Sequence, residues 1–328
     1  MARLEFNDIH TQKKQEKLRE MMVNTVAQLV EMDNGNPVLD SCPICSSPKV
    51  EFFVNAYQFD MTNCMNCGLL FCNPYPSQEQ ICAYYNSEMK SFENEFFRDS
   101  FEKRINIFLP RVELIQKHKA QGKLLDVGSA IGIFIEALHR SKASFDLACC
   151  DMSEEACKEL GGKYPDLTIY NKDYLDLDVE TQFDVITLWD TLEHIVDSKG
   201  LLQKTHQLLK DDGIFVFSTP NTDSFEWICA QEKHVQILPP GHVNLMNWKC
   251  IDILLKNNFF RVVDAFTLNA SLDLSYVKKL IEKNEVAQGA IGNFLWKEVF
   301  DPDFELILEQ YLVSKKKAGN IVVIAQKI

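Results

Sequence analysis

Four cysteines in the first quarter of the chain have the residue types and spacing of a metal site. Cys42 and Cys45 form one C-x-x-C pair, Cys64 and Cys67 form another, and eighteen residues separate the two pairs. Four thiolates complete the tetrahedral coordination that Zn²⁺ prefers, and they leave no open position for a reaction. We therefore predict a structural zinc ribbon over residues 41–80. The alternatives are reduced pairs without metal and a redox role.

A glycine-bearing turn is the second feature with chemical potential. A buried-strand pattern at 123–127 contains Asp126, and Gly128, Ala130 and Gly132 follow it before a helical pattern. Such a turn exposes backbone N–H groups at a helix N-terminus and allows a ligand to approach closely. Because alanine adopts ordinary negative φ angles, we expect no left-handed backbone at the middle position. Alone, the turn is a weak signal, since dinucleotide-binding proteins share it.

Asp151 lies at the end of the next strand pattern, about twenty residues after the turn. A carboxylate at that place can accept hydrogen bonds from both hydroxyls of a ribose. It would equally serve as the N-cap of the helix that begins near Glu154. NAD-binding domains share this arrangement, so the turn and the acid together do not decide the cofactor.

A third group of reactive side chains follows the strand pattern at 183–189. Asp190, Glu193 and His194 have an acid-x-x-Glu-His spacing, and His242 lies in a Pro-Pro-Gly-His segment before a later helix. An imidazole suits a general base near neutral pH, which makes His194 the first candidate base and His242 the second. The alternative is structural, with Glu193 and His194 capping a helix and bonding to neighbouring loops.

The elements that must position these residues alternate from residue 122 onward. Strand patterns occur at 123–127, 145–150, 167–170, 183–189, 213–218, 260–267 and 320–326, with helical patterns at 131–141, 153–160, 197–210 and 247–257. Such alternation implies right-handed crossovers and a mostly parallel sheet covered on both faces. The predicted fold class is thus α/β and Rossmann-like, with a seven-stranded sheet.

The remainder divides into smaller units. We expect an N-terminal helix within residues 1–40, the ribbon at 41–80, a helical linker or cap at 81–121, and the α/β domain at 122–328. An amphipathic, helical stretch at 269–318 interrupts the alternation and is interpreted as an inserted cap or a homodimer contact.

Residues 122–328 resemble a class I S-adenosylmethionine (SAM)-dependent methyltransferase, in the branch similar to ubiquinone-biosynthesis-type and sugar-modifying enzymes. The resemblance rests on the glycine turn, on Asp151, on segment 171–174, on segment 183–194, and on a leucine-lysine-x-x-glycine-like turn at 208–213. The last two segments separate a methyltransferase from a dehydrogenase.

The resemblance implies SAM as cofactor and assigns several contacts. The turn would pass under the methionine part, the acid at 126 would bind its amino group, and Asp173 would accept the adenine amino group. Further implied cofactor contacts are Met152, Tyr174, Trp189 and Asp190. In related quinone O-methyltransferases a comparable group accompanies a divalent metal, so Asp190, Glu193 and His194 would bind Mg²⁺ or Zn²⁺.

Composition restricts the partners. The formal charge is −13, and the ribbon contains Lys49 against Glu51, Asp60 and Glu79. This balance argues against nucleic acid as a partner. No apolar run reaches the length of a membrane span. The chain has eleven cysteines, an odd number, and this suits a reducing cytoplasm with a metal site.

The predicted function is methyl transfer to a hydroxyl or activated carbon of a small molecule. A nucleotide-linked sugar, a polysaccharide precursor or a natural product would fit the resemblance. Alternatives are an rRNA or tRNA methyltransferase that uses the ribbon to hold its substrate, and a SAM-binding scaffold without activity.

Overall fold

The computed structural model describes residues 12–32, 35–268, 274–283 and 302–328. The strands are β1 Val50–Ala56, β2 Phe59–Cys64, β3 Leu70–Cys72, β4 Gln121–Val127, β5 Ser144–Asp151, β6 Thr168–Asn171, β7 Phe183–Trp189, β8 Leu209–Pro220, β9 Asn244–Leu245, β10 Phe260–Leu268 and β11 Asn320–Lys327. The α-helices are α1 Gln12–Glu31, α2 Gln78–Tyr85, α3 Glu88–Asp99, α4 Phe101–His118, α5 Ile133–Arg140, α6 Glu154–Lys163, α7 Ser198–Leu208, α8 Phe225–Ala230, α9 Trp248–Asn257, α10 Leu274–Glu282 and α11 Pro302–Ser314.

Seven strands form one sheet in the order β10-β11-β8-β7-β4-β5-β6. Strand β11 runs antiparallel to both neighbours, whereas the pairs β4/β5, β4/β7, β5/β6 and β7/β8 are parallel. The predicted α/β fold with a mostly parallel seven-stranded sheet is therefore confirmed. Since β5 and β7 flank β4 on opposite sides, the strand order reverses there, and ligands bind beside the carboxyl ends at such a point.

The sheet is buried on both faces. Adjacent residues Leu124 and Leu125 are fully buried and belong to different hydrophobic clusters, one on each side of the sheet. Helix α5 covers one face with Phe134 and Ile135, while α9 packs Ile251 against the other. Burial on two sides explains why these strands are continuous apolar runs rather than alternating patterns.

The cysteine segment forms a separate four-stranded sheet in the order β1-β2-β3-β9. Its first strand, β1, lies between the two cysteine pairs. Its last strand was not predicted, because β9 comes from residues 244–245 of the α/β region and pairs antiparallel with β3. The ribbon and the α/β region therefore share a sheet.

Helices α1 to α4 precede the large sheet, as the helical patterns predicted. Helices α10 and α11 fall inside the predicted insert at 269–318, and the rest of that stretch, 269–273 and 284–301, lies outside the described residues. A dimer contact through this stretch stays a prediction. Among the helices described, none combines the length and apolarity needed to cross a bilayer.

Candidate active site

The turn after β4 has positive φ angles at Gly128, Ala130 and Gly132, of 73°, 44° and 77°. The expectation of ordinary backbone at the alanine is therefore wrong. The N–H of Ala130 donates to Asp151 Oδ2 at 2.7 Å. The residue that makes this bond is in the left-handed conformation, which is strained for any residue with a Cβ. At Gly128 a Cβ would lie 2.6 Å from Thr191 Oγ1, so only glycine allows this close approach.

Asp151 holds the turn and the start of the next helix together. Besides the bond from the turn, its Oδ1 accepts from Ser153 N–H at 2.8 Å. The N-cap of α6 is Ser153, whose hydroxyl accepts from Ala156 N–H, so the alternative of Asp151 as N-cap is wrong. Asp151 also lines a large cavity at the carboxyl edge of the sheet.

Asp126 is a buried acid beside the turn. Its side chain is 2% exposed, and its Oδ1 accepts from Thr187 Oγ1 at 2.7 Å. Burial raises its pKa to about 7, and the nearby Asp151 charge adds to this rise. A cationic ligand group would offset that destabilisation of the carboxylate.

Arg111 is a functional candidate that the sequence reasoning missed. It lies on α4, is 3% exposed, and stacks on Phe108 and Trp189 with its guanidinium carbon 4.4 Å and 4.7 Å from the ring centroids. Its Nη1 is 3.9 Å from Asp190 Oδ2, yet Nε and Nη1 lack hydrogen-bond partners among the described residues. The available signal was an arginine placed among the apolar residues Phe108 and Ile115 on one helix face.

The remaining implied cofactor contacts line the same cavity. Met152 is 41% exposed, whereas Trp189 packs edge-on against Phe134. Asp173 caps a short 3₁₀ turn by accepting from the N–H of residue 175. The side chain of Tyr174 is buried and shares a hydrogen bond with Thr205 Oγ1 at 3.1 Å, which leaves its backbone to contact a ligand.

Glu193 is fully enclosed behind the end of β7. It is 1% exposed, and its Oε2 accepts from Thr219 Oγ1 at 3.0 Å. Burial raises its pKa well above the usual value, and the Asp190 charge acts in the same direction. Its carbonyl oxygen accepts from Val243 N–H at 2.8 Å, which ties this turn to the segment carrying His242.

His194 and His242 face each other, with ring centroids 4.8 Å apart. His194 Nδ1 lies 2.8 Å from the Gly241 carbonyl oxygen, and His242 Nδ1 lies 2.8 Å from that of Gln236. A carbonyl oxygen only accepts, so each Nδ1 carries the proton and each Nε2 keeps its lone pair. Burial lowers the pKa of both imidazoles, and the Lys90 ammonium lowers them further. Both rings are thus neutral near pH 7.

Glu193, His194 and His242 present potential ligand atoms that all lie within 4.8 Å of one another. This group contains His242 where the sequence reasoning had Asp190. The Oδ1 of Asp190 instead accepts from Ser218 Oγ at 2.8 Å and so helps to close the end of β8.

The four predicted zinc ligands are brought together. Cys42 Sγ and Cys67 Sγ are 3.6 Å apart, Cys45 Sγ and Cys64 Sγ are 3.5 Å apart, and all four sulfurs lie within 4.8 Å. Zinc–sulfur bonds of about 2.3 Å give tetrahedral sulfur–sulfur edges of about 3.8 Å. Burial raises the pKa of Cys45, but bonds from the Asn66 amide and backbone lower it to about 7. The cluster has the geometry of a zinc site.

One cavity of about 1040 Å³ contains both the turn region and the two histidines. Its far half is formed by α2, α3, α4 and the loop at 232–242. There Lys90 is half-buried, pairs with Glu93, and lies 5.6 Å and 5.3 Å from the Tyr84 and Tyr85 ring centroids. A volume of this size accommodates two ligands side by side.

The fold and the cavity agree with the comparisons with known proteins. Residues 99–265 match the family model described as "Methyltransferase domain", which is just over half of the chain. The chain therefore belongs to this family, and it is a class I SAM-dependent methyltransferase.

Individual proteins are also similar to this chain. The chain is 30% identical over 212 residues to the ubiquinone biosynthesis O-methyltransferase of Actinobacillus pleuropneumoniae serotype 5b, covering 54% of this chain and 88% of the relative. The same-named protein of Erwinia tasmaniensis is 31% identical over 145 residues, covering 40% and 58%. A SAM-dependent methyltransferase structure from Archaeoglobus fulgidus aligns with a TM-score of 0.47 and 17% identity, covering 71% of this chain and 99% of that one.

Proposed function

We propose that this methyltransferase transfers the methyl group of SAM to a hydroxyl of a small-molecule acceptor, with His194 as general base. The observation that carries the proposal is the bond between His194 Nδ1 and the Gly241 carbonyl, because it leaves Nε2 able to take a proton. Relatives named O-methyltransferases support a hydroxyl acceptor over a carbon or nitrogen acceptor.

The cavity residues fit SAM group by group. Asp151 would accept the ribose hydroxyls, Asp173 the adenine amino group, and Asp126 the ammonium of the methionine part. Arg111 would offer its buried guanidinium to the carboxylate of the methionine part, because its Nε and Nη1 have no hydrogen-bond partner within the described part of the chain. When bound, SAM supplies a methyl group carried on a positively charged sulfur. Once the methyl group has been transferred, the rest of the cofactor is a neutral thioether.

The far half of the cavity would hold the acceptor. The Tyr84 and Tyr85 rings line it beside the Lys90–Glu93 ion pair, and His194 lies on the side nearest the sheet. A neutral base at this position suits removal of a hydroxyl proton as the oxygen approaches the methyl carbon.

A divalent cation would use the same Nε2 lone pair, so it would replace the base role of His194 rather than accompany it. Glu193, His194 and His242 combine one carboxylate with two imidazole lone pairs, a ligand set that suits Zn²⁺, Mn²⁺ or Fe²⁺ better than Mg²⁺. A cation there would acidify an acceptor hydroxyl.

The affinity for SAM is expected to depend on pH through Asp126. Because its pKa is raised to about 7, the carboxyl is protonated below that pH and unable to pair with an ammonium group. Between pH 6 and pH 8 the dissociation constant should fall about tenfold. Isothermal titration calorimetry measures this, and Asp126→Asn should flatten the profile. If the dissociation constant of the wild type varied with pH as little as that of the variant, Asp126 would have no part in binding SAM.

The cysteine cluster is proposed to bind one structural Zn²⁺ per chain. Elemental analysis of protein purified without chelator should give about one zinc per chain. Cys45→Ser should lose most of the metal, whereas Cys82→Ser, at a thiol outside the cluster, should retain it. Equal zinc in both variants would contradict the assignment.

Incubation with SAM labelled in its methyl group tests the hydroxyl acceptor. The probes are 1,2-dihydroxybenzene, a nucleotide-linked sugar, and 1,2-dimethoxybenzene as a control without a free hydroxyl. Mass spectrometry should locate the label on oxygen of a hydroxylated probe and leave the control unmodified. Label on carbon or nitrogen would overturn the proposal of O-methylation.

A further inference from the structure

The cysteine ribbon contacts the α/β region at the segment that carries His242. In the shared sheet, Leu70 pairs with Leu245 and Phe71 pairs with Asn244. The N–H of Cys72 donates to the Val243 carbonyl at 3.0 Å, which extends the contact to the residue after the histidine. Strand β9 has only two residues, and its pairing is entirely with the ribbon.

Asn244 connects this strand to the other candidate catalytic segment. Its side chain is buried, and its Oδ1 accepts from Tyr75 Oη at 2.5 Å. Its Nδ2 donates to the Ile195 carbonyl at 2.7 Å, one residue beyond His194. A single amide thus joins Tyr75 of the ribbon, strand β9 and the turn that presents the base.

A backbone bond completes the path. The Val243 N–H donates to the Glu193 carbonyl, so the residues beside both histidines are bonded to each other. At the other end of this path is the turn of the second cysteine pair, residues 64–68, which is called here the second knuckle. It leads directly into β3, because Cys64 N–H donates to the Leu69 carbonyl at 2.8 Å. Hydrogen bonds therefore run without interruption from the cysteine cluster to the turn of His194.

A second contact lies at the same knuckle. Gly68 has a φ of 80°, and a Cβ there would lie 2.2 Å from Asn247 Nδ2. Asn247 caps α9 by accepting from Cys250 N–H at 2.9 Å. The second knuckle thus contacts Asn247, and β3, which follows the knuckle, pairs with residues 244 and 245.

The ribbon also supplies a wall of the acceptor half. The turn between β1 and β2 places Tyr57 beside Tyr84 in one hydrophobic cluster, and both residues line the cavity. The ribbon therefore touches the acceptor half directly as well as through β9.

We propose that the cysteine ribbon is a positioning element of the acceptor site. Metal bound by the four cysteines holds β3, β3 holds β9, and β9 holds His242 and the turn of His194 in register. The inference rests on the proposed zinc site and on the proposed roles of the two histidines. Its first test reads backbone order, so that test needs no acceptor and is independent of the proposed reaction.

Hydrogen–deuterium exchange on the full chain, with zinc bound and after removal by a chelator, tests the coupling. Amide exchange in peptides covering 192–196 and 242–247 should accelerate at least about tenfold without metal, while β4 and the affinity for SAM stay unchanged. Acceleration confined to residues 42–68 would overturn the proposal, because the metal would then order the ribbon alone.

A substitution that leaves the cysteines intact covers the case in which metal removal unfolds the whole chain. Tyr75→Phe removes one hydrogen bond to Asn244, and Tyr311→Phe, at a side chain 56% exposed on α11, is the matched control. The first variant should retain zinc, accelerate exchange in 192–196 and 242–247, and lower kcat more than it raises KM. Exchange in Tyr75→Phe equal to that of the control would reject the coupling.

Discussion

Replacement of His194 by alanine is expected to lower kcat by about 100- to 10,000-fold, the usual contribution of a positioned general base. The ring is neutral because burial lowers its pKa, and its Nδ1 is occupied by the Gly241 carbonyl. The substitution removes the proton acceptor but none of the groups assigned to SAM. Steady-state kinetics with saturating SAM, together with calorimetry, separates the two effects.

The matched control is His118→Ala, at an exposed histidine in the last turn of α4. Its kcat should equal that of the wild type, and both variants should bind SAM within about twofold of wild-type affinity. In wild-type protein, activity should persist as the pH falls below 6.5 and decline only when the lowered pKa is reached. Turnover by His194→Ala at the wild-type rate would exclude this residue from the reaction.

Replacement of Asp151 by alanine is expected to weaken SAM binding by about 100-fold. Two hydrogen bonds from ribose hydroxyls to a carboxylate contribute about 1.5 kcal/mol each, and about 1.4 kcal/mol corresponds to a factor of ten. The carboxylate also holds the Ala130 N–H, so its loss relaxes the strained turn as well. Calorimetric titration with SAM measures the change directly.

Asp146→Ala is the control for this variant, because that acid is exposed on the same strand, β5. It should bind SAM as the wild type does. Near-wild-type affinity in Asp151→Ala would refute the ribose contact and would move the cofactor away from the β4–β5 crevice.

The large sheet was predictable because its strands are buried on both faces. Runs such as 183–189 have no polar face to confuse with a surface helix, and crossover helices lie between them, so a mostly parallel sheet follows from general rules. The cysteine pairs were equally clear, since their spacing reflects the geometry of one metal ion.

What escaped prediction depends on contacts between distant parts of the chain. Strand β9 is too short to have a pattern and exists because β3 lies beside it. Arg111 looked like one polar residue on a helix, and its burial under Trp189 is a tertiary effect. The left-handed angle at Ala130 follows from a bond to an acid twenty-one residues away.

The histidine tautomers are a further example. The sequence identified His194 and His242 as candidates, but their protonated nitrogens are set by the carbonyls of Gly241 and Gln236. Those carbonyls come from the loop at 232–242, whose path depends on packing against the ribbon and α10.

A crystal structure of the protein with S-adenosylhomocysteine tests the central claim most directly. We expect the adenosyl group between Asp151 and Asp173, the amino acid end at Asp126 and Arg111, and the sulfur directed at the half of the cavity that His194 borders. A cavity that stays empty at saturating ligand, or a sulfur directed away from His194, would contradict it.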